Sequence, residues 1–428
     1  MRALRGDRSS EPAADTASPL VDMLGALASA LLASSQATND VEDTLRELAT
    51  VYGHPRLNVF VLPTLVMIED ATAHARGSAI FPVQQTALRL DQAGAIDALR
   101  RRCLTSAPPP EDVVREITEI ISSRPRFALP LTVFGHALLT VGFGMVLNPT
   151  LTALPVYVIL GSVVGLIVAI GTRLPTLALL LPVATAFVVT VLVAVVIRPI
   201  VHDDSLRLVA PALVSFLPGL TLTIAAVELT SGQMMAGASR LVYGFARLGL
   251  LAFGVFAGLS VSRGSTTTAS SAEQLGAWAP WAGIVLVAVG YYFFSSAPKR
   301  SLPWILYALV LAYAGQLLGN VVLGAQLSGL VGALIVIPGV YLVSHLSSSP
   351  PPAIMLTCAY WLLVPGSMGF IGMSEAASGT AGATAVILQT LGSLVAIATG
   401  MIIGAGLSRD ASRVARAWRR ADGGIAPG

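Results

Sequence analysis

Two short stretches of this chain carry the residue types that could do chemistry, and they repeat one another. Residues 217–232 read LPGLTLTIAAVELTSG, and residues 364–379 read VPGSMGFIGMSEAASG. They align without a gap at an offset of 147, with Pro218/Pro365, Gly219/Gly366, Ile224/Ile371, Glu228/Glu375, Ser231/Ser378 and Gly232/Gly379 in register. Proline removes a backbone donor and clashes with the preceding turn, and glycine beside it adds conformational freedom. In lipid, backbone groups freed in this way are tolerated only where they face protein or a water-filled cavity. Pro218-Gly219 and Pro365-Gly366 are therefore expected to interrupt two membrane helices at the wall of a shared cavity. The helix restarting after each glycine would point its positive end there, which suits a carboxylate. Thr221, Thr223 and Ser367 stand close enough to offer hydroxyls. The competing account is an ordinary proline kink between packed helices; the doubled occurrence favours the cavity.

The glutamates leave two accounts open. An intramembrane carboxylate is a functional candidate by default. At 1.5 Å per residue, Pro218 lies roughly 16 Å from Arg207, and Glu228 about 15 Å further on. That spacing puts Glu228 near the inner mouth and, if the second copy is inverted, Glu375 near the outer one. Glu228 and Glu375 can be solvated interfacial carboxylates, or they can gate the path and carry protons. Arg240 and Arg247 fall in the next apolar stretch, Arg247 the deeper of the two. Either could pair with Glu228 or bind a substrate carboxylate, although Arg240 could also snorkel to the interface. His136 lies mid-way along the first span, where a backbone carbonyl partner is expected rather than a proton relay.

No catalytic constellation and no metal site is legible. Cys103 and Cys358 are the two cysteines and have no CxxC spacing, so neither a disulfide framework nor a zinc site is implied. No GxSxG, HExxH or GxxxxGK[ST] motif occurs, which argues against a hydrolase and an ATP-driven pump. No cofactor is expected.

The elements that must position these residues are membrane helices. The chain is 54% hydrophobic and 11% charged, with a mean hydropathy of +0.76. The polar residues are concentrated at one end. Residues 1–126 hold 13 Arg and 16 Asp/Glu, whereas residues 127–408 hold 8 basic and 5 acidic side chains. A net charge of +3 is too small to suggest nucleic acid. A span needs roughly 20 apolar residues. Candidates lie near 127–147, 152–171, 174–197, 208–229 and 236–261, and again near 278–296, 302–323, 328–345, 354–374 and 381–407. Five spans per copy force the second copy to enter the membrane in the opposite sense. Inverted repeats of this kind, with matched broken helices, place a transport site between them near the midplane. With the N-terminus inside, the inner flanks collect twelve basic residues and the outer flanks three (Arg198, Arg207 and Arg263), as the positive-inside rule requires. Both termini are then cytoplasmic.

The expected organisation is a disordered start over 1–18 and a soluble α+β domain over 19–125. A first five-helix membrane repeat over 126–262 and a linker over 263–276 follow, then a second repeat over 277–408 and a basic tail over 409–428. Within the soluble domain, helix is expected over 19–53 with a break near Ser34 to Asp40. Strands are expected over Asn58 to Ile68 and Ser78 to Leu88, and helices over Ala95 to Leu104 and Glu111 to Ser122. His54 and His74 read as surface residues. The seams GFGMVLNPT, GSVVGLIVAIG and GLVGALIVIPG read as close helix packing.

The chain resembles the bacterial threonine/serine exporter family. The resemblance rests on SSQATNDVEDTLRELATVYG and NVFVLPTLVMIED in the polar part, LPGLTLTIAAVEL with SGQMMAGASRLVYGF in the first membrane copy, and LLVPGSMGF in the second. It implies a secondary transporter in the bacterial cytoplasmic membrane, not an enzyme, that exports small hydroxy amino acids using the proton motive force. Its partners would be the amino acid, protons and the lipid bilayer, with homo-oligomerisation open. Because some relatives are associated with dicarboxylate export, a succinate-like substrate is the first alternative. A membrane-anchored sensor acting through its N-terminal domain is the second, and belongs to another class.

Overall fold

The computed structural model describes residues 19–70, 78–83, 87–171, 175–201, 205–261, 273–344, 346, 349–363, 366–377 and 383–422. The expected disordered start, most of the linker and the last six residues lie outside these. The chain divides into two compact units: Met1–Leu88 with Ala95–Ser123, and Arg89–Gly94 with Arg124–Gly428.

The first unit contains α1 (Pro19–Ala33), α2 (Thr38–Val51), β1 (Leu57–Leu62), β2 (Leu65–Asp70), β3 (Ser78–Pro82), most of α3 (Leu90–Ser106) and α4 (Pro110–Ser122). α1 is apolar almost all round and is its core helix, with Met23, Leu24, Leu27 and Leu31 fully buried. α2 buries one stripe, Val41, Leu45 and Leu48, at the spacing of an amphipathic helix. One strand was expected over Asn58 to Ile68, but the structure has a hairpin. Pro63-Thr64 form its turn and Leu62 pairs with Leu65. A central ladder cannot use a residue without an N–H, so the chain reverses at Pro63. The sheet is antiparallel in the order β1-β2-β3. Pro110 opens α4 at a position where a missing N–H costs nothing. Cys103 is buried here, and burial pushes its thiol above the usual range.

The second unit is helical: α5 (Leu129–Leu147), α6 (Ala153–Gly171), α7 (Pro175–Leu192), α8 (Ser205–Ala212), α9 (Gly219–Thr230), α10 (Met234–Val261), α11 (Ala279–Phe294), α12 (Leu302–Leu323), α13 (Ser328–Val343), α14 (Pro352–Leu363), α15 (Gly366–Ala377) and α16 (Ala383–Asp422). α7 runs into a single π-helical turn, Val193–Ile197, and α16 continues through the basic segment to Asp422.

Among the described residues, six helices are long and apolar enough to cross a membrane, or seven if the bent pair Leu206–Ala212 and Val214–Thr230 is one span. α11 and α13 are apolar but have 16 residues each, and α14 has 12. Length and composition alone thus give fewer spans than the ten expected. The shortfall falls mainly in the second half, where the helices stop early.

Glycines fix how these helices run. A Cβ at Gly142 would meet the Gly283 carbonyl at 2.6 Å, and one at Gly135 would meet the Gly290 carbonyl at 2.9 Å. α5 and α11 therefore touch backbone to backbone and run antiparallel. Gly254 lies against Val183 and Gly258 against Phe187 and Thr190, so α7 and α10 run parallel. Gly400 lies against Leu330, and Gly404 against Ala333 and Ile337, so α13 and α16 also run parallel. Across the halves, α9 packs on α16 and α15 on α10.

Candidate functional site

The site is built around the broken span of the first half. α8 ends at Ala212, one 3₁₀ turn (Val214–Phe216) follows, and α9 starts at Gly219; the chain bends by 63° at Leu213, between Leu206–Ala212 and Val214–Thr230. Pro218 occupies the residue before α9. It cannot donate to the preceding turn, so the 3₁₀ turn does not run on into α9. The backbone N–H groups of Gly219, Leu220 and Thr221 have no partner inside the new helix. In the second half, α14 ends at Leu363 and α15 begins at Gly366. Pro365 lies outside the described residues, as does the side chain of Ser367.

α9 and α10 pack antiparallel along one stripe. Gly237 lies against Ala225 and Leu229, Arg240 against Glu228, and Gly244 against Leu222. Spacings of three and four residues keep Gly237, Arg240, Gly244 and Arg247 on one face of α10. Continuing the same register puts Arg247 level with Gly219, at the restart of α9. The Nε of Arg247 is buried and has no hydrogen-bond partner among the described residues. An unsatisfied buried cationic donor is costly, so an anion that could reach it would be held firmly.

Glu228 has no accessible surface, and its Oε2 lies 3.1 Å from Arg240 Nε. Of the two accounts open to it, the solvated interfacial carboxylate does not fit this burial. The contact is held by charge and distance rather than by an aligned hydrogen bond. Arg240 keeps 15% of its side chain exposed. Glu375 is partly exposed on α15, next to the buried Ser374. Offset by 147, Arg240 and Arg247 correspond to Ile387 and Leu394. The two basic side chains therefore belong to the first half alone.

The hydroxyls are placed differently from one another. Thr223 is buried and donates to the Gly219 carbonyl at 3.1 Å, so its hydrogen is already used within α9. Thr221 keeps partial exposure. Ser231 belongs to the end of α9 rather than to the start of α10. Its Oγ–H donates back to the Glu228 carbonyl at 3.1 Å, and Gly232 takes the left-handed φ of 89° that a helix-ending turn needs.

Two contacts at the breaks were not legible in the sequence. His136 of α5 is fully buried, with Nδ1 2.9 Å from the Gly161 carbonyl and Nε2 3.0 Å from Ser215 Oγ. The carbonyl partner is of the kind expected; the serine, inside the 3₁₀ turn of the break, is the surprise. Gln316 of α12 donates Nε2–H to the Leu363 carbonyl at 3.3 Å, at the last described residue of α14. A lone polar side chain in an apolar helix was the available signal for each.

Among the described residues, no cluster of three or more His, Cys, Asp or Glu has metal-binding geometry. The model of the threonine/serine exporter family, described as "Putative threonine/serine exporter", matches residues 22–262. That is more than half of the chain, and the protein belongs to this family. No curated protein and no solved structure gives a match.

Proposed function

We propose that this protein is a proton-driven secondary transporter that exports threonine or serine by alternating access between two inverted five-helix repeats. The observation that carries the substrate assignment is the buried, unpartnered Nε of Arg247 level with the restart of α9. A substrate carboxylate there meets a guanidinium and a helix N-terminus together, and charge-assisted bonds of this kind are the strong ones. Arg240 is committed to Glu228, which leaves one arginine of the stripe for one carboxylate. This favours an amino acid over a dicarboxylate. Thr221 is available to the substrate hydroxyl.

The antiparallel α5 and α11 support inversion, since each is the first helix of its half. The parallel pairs α7/α10 and α13/α16 support a single crossing by the segment between the members of each pair. Ten crossings follow, with the short α11, α13 and α14–α15 among them. The mutual packing of α9 on α16 and α15 on α10 supports a chamber between the halves. The excess of basic residues on one side supports a cytoplasmic placement of both termini and the N-terminal unit.

Counterflow in proteoliposomes separates the substrates. Vesicles preloaded with threonine or serine are expected to accumulate labelled threonine, and vesicles preloaded with succinate are not. Exchange of succinate with none of either amino acid would instead establish the dicarboxylate exporter. Absence of flux for all three would favour the sensor.

A further inference from the structure

We propose that the segment between α8 and α9 binds the ammonium of the amino-acid substrate, with Ser215 as one acceptor and His136 as the residue that positions it. The inference rests on the carboxylate site proposed at Arg247 and Gly219. It supplies a partner for the half of the zwitterion which that site leaves unmet.

An ammonium brings three N–H donors and needs acceptors, whereas a guanidinium and a helix N-terminus can only donate. Residues 213–218 carry the acceptors. This segment bonds only within itself and back to α8. Leu213 N–H donates to the Val209 carbonyl at 3.2 Å, Phe216 N–H to Leu213 at 2.9 Å and Leu217 N–H to Val214 at 3.2 Å. Leu217 is then extended, with ψ at 126°, and Pro218 has no N–H to give. Among the described residues, the carbonyls of Ser215, Phe216 and Leu217 therefore accept no backbone hydrogen bond. Phe216 is buried, and a carbonyl without a partner is costly away from water. Acceptors thus precede Gly219 and the unbonded N–H groups follow it, which is the charge pattern of a zwitterion. Broken transporter helices use unwound carbonyls for cations and half-helix N-termini for carboxylates in this way.

Ser215 adds a side-chain oxygen to the same segment. His136 Nδ1 lies 2.9 Å from the Gly161 carbonyl, which only accepts, so Nδ1 carries the hydrogen of the neutral ring. Nε2 then accepts the Ser215 hydroxyl at 3.0 Å. The one hydrogen of the serine is committed to the ring, and its oxygen meets any further partner as an acceptor. The ring is held edge-on against Phe294, with centroids 4.9 Å apart, and a Cβ at Gly165 would meet His136 Cβ at 2.9 Å. His136 has no accessible surface, whereas Ser215 keeps partial exposure. Among the described residues, this is the one hydrogen bond that ties 213–218 to a helix other than α8 and α9. Offset by 147, Ser215 corresponds to Leu362 and His136 to Gly283. The ammonium subsite, like the two arginines, belongs to the first half alone.

Counterflow by the full-length protein in proteoliposomes tests the assignment. The ligands are threonine and 3-hydroxybutyrate, which keeps the carboxylate and the hydroxyl but lacks the ammonium. Ser215→Ala is expected to raise the KM for threonine by about tenfold, the worth of a hydrogen bond to a charged group. Inhibition by 3-hydroxybutyrate should not change. His136→Asn keeps a donor near Nδ1 for Gly161 but loses the acceptor for Ser215, and should match Ser215→Ala. His136→Gln places an amide oxygen near Nε2 and should keep the parental KM. Equal weakening of both ligands, or an unchanged KM for threonine in Ser215→Ala, overturns the ammonium subsite. So does rescue by Asn in place of Gln, which would mark a role in packing α5 against α6. If 3-hydroxybutyrate does not inhibit the parent, the Asn and Gln variants decide the matter with threonine alone. An unchanged KM in Arg247→Ala overturns the carboxylate site instead, so the two failures are separable.

Discussion

Arg247→Ala is expected to raise the apparent KM for threonine in counterflow by at least about thirty-fold. Truncating one member of a buried, hydrogen-bonded charge pair costs about 2–5 kcal/mol, and each 1.4 kcal/mol is a factor of ten. In the substrate-free protein the Arg247 Nε has no hydrogen-bond partner among the described residues, so the variant removes an unsatisfied donor and its melting temperature should not fall. Loss of transport without loss of stability distinguishes a ligand-binding arginine from a structural one. Arg247→Lys keeps the charge but not the fork of donors, and its KM is expected to lie between those of the alanine variant and the parent. An unchanged KM in Arg247→Ala would remove this residue from the site.

Arg240→Ala should behave in the opposite way, as a stability variant. It takes from Glu228, which has no accessible surface, the charge it pairs with. Breaking a buried pair from one side costs about 3–5 kcal/mol, a loss that should be plain in a thermal melt of the detergent-solubilised protein. Adding Glu228→Gln removes the carboxylate charge, and most of the lost stability should return. Glu228→Gln alone separates coupling from gating. If the carboxylate carries the proton, threonine counterflow persists while accumulation driven by a pH gradient disappears. Loss of both would assign the pair to the gate, and retention of both would exclude Glu228 from coupling.

Much of this architecture is written locally in the chain. Apolar runs bounded by Asn148-Pro149 and by Lys299-Arg300 mark helix ends because lipid forces every backbone donor to find a partner within its own helix. The break at Pro218-Gly219 is legible for the same reason, as the proline removes a donor at a fixed position. The hairpin at Pro63 was hidden by a run of strand-forming residues on both sides. Its turn carries only Pro63-Thr64, with no glycine to announce it. The charge pattern set the candidates Arg240, Arg247 and Glu228 but not their roles. Those depend on which face of α10 meets α9, which Gly237 and Gly244 decide by letting α9 approach closely. The contacts that Ser215 and Gln316 make were invisible for a related reason. Their partners lie 79 and 47 residues away, and no local pattern encodes contacts at that separation.

Both the proposed chamber and the proposed substrate site depend on the two halves entering the membrane in opposite senses. Single cysteines at Leu151, just beyond α5, and at Lys299, just beyond α11, test this directly with an impermeant thiol reagent in right-side-out and inverted vesicles. Inversion predicts that Leu151→Cys is labelled only from outside the cell and Lys299→Cys only from inside. Labelling of both positions from the same face would mean that the halves run in the same sense, and the transport site between them could not exist.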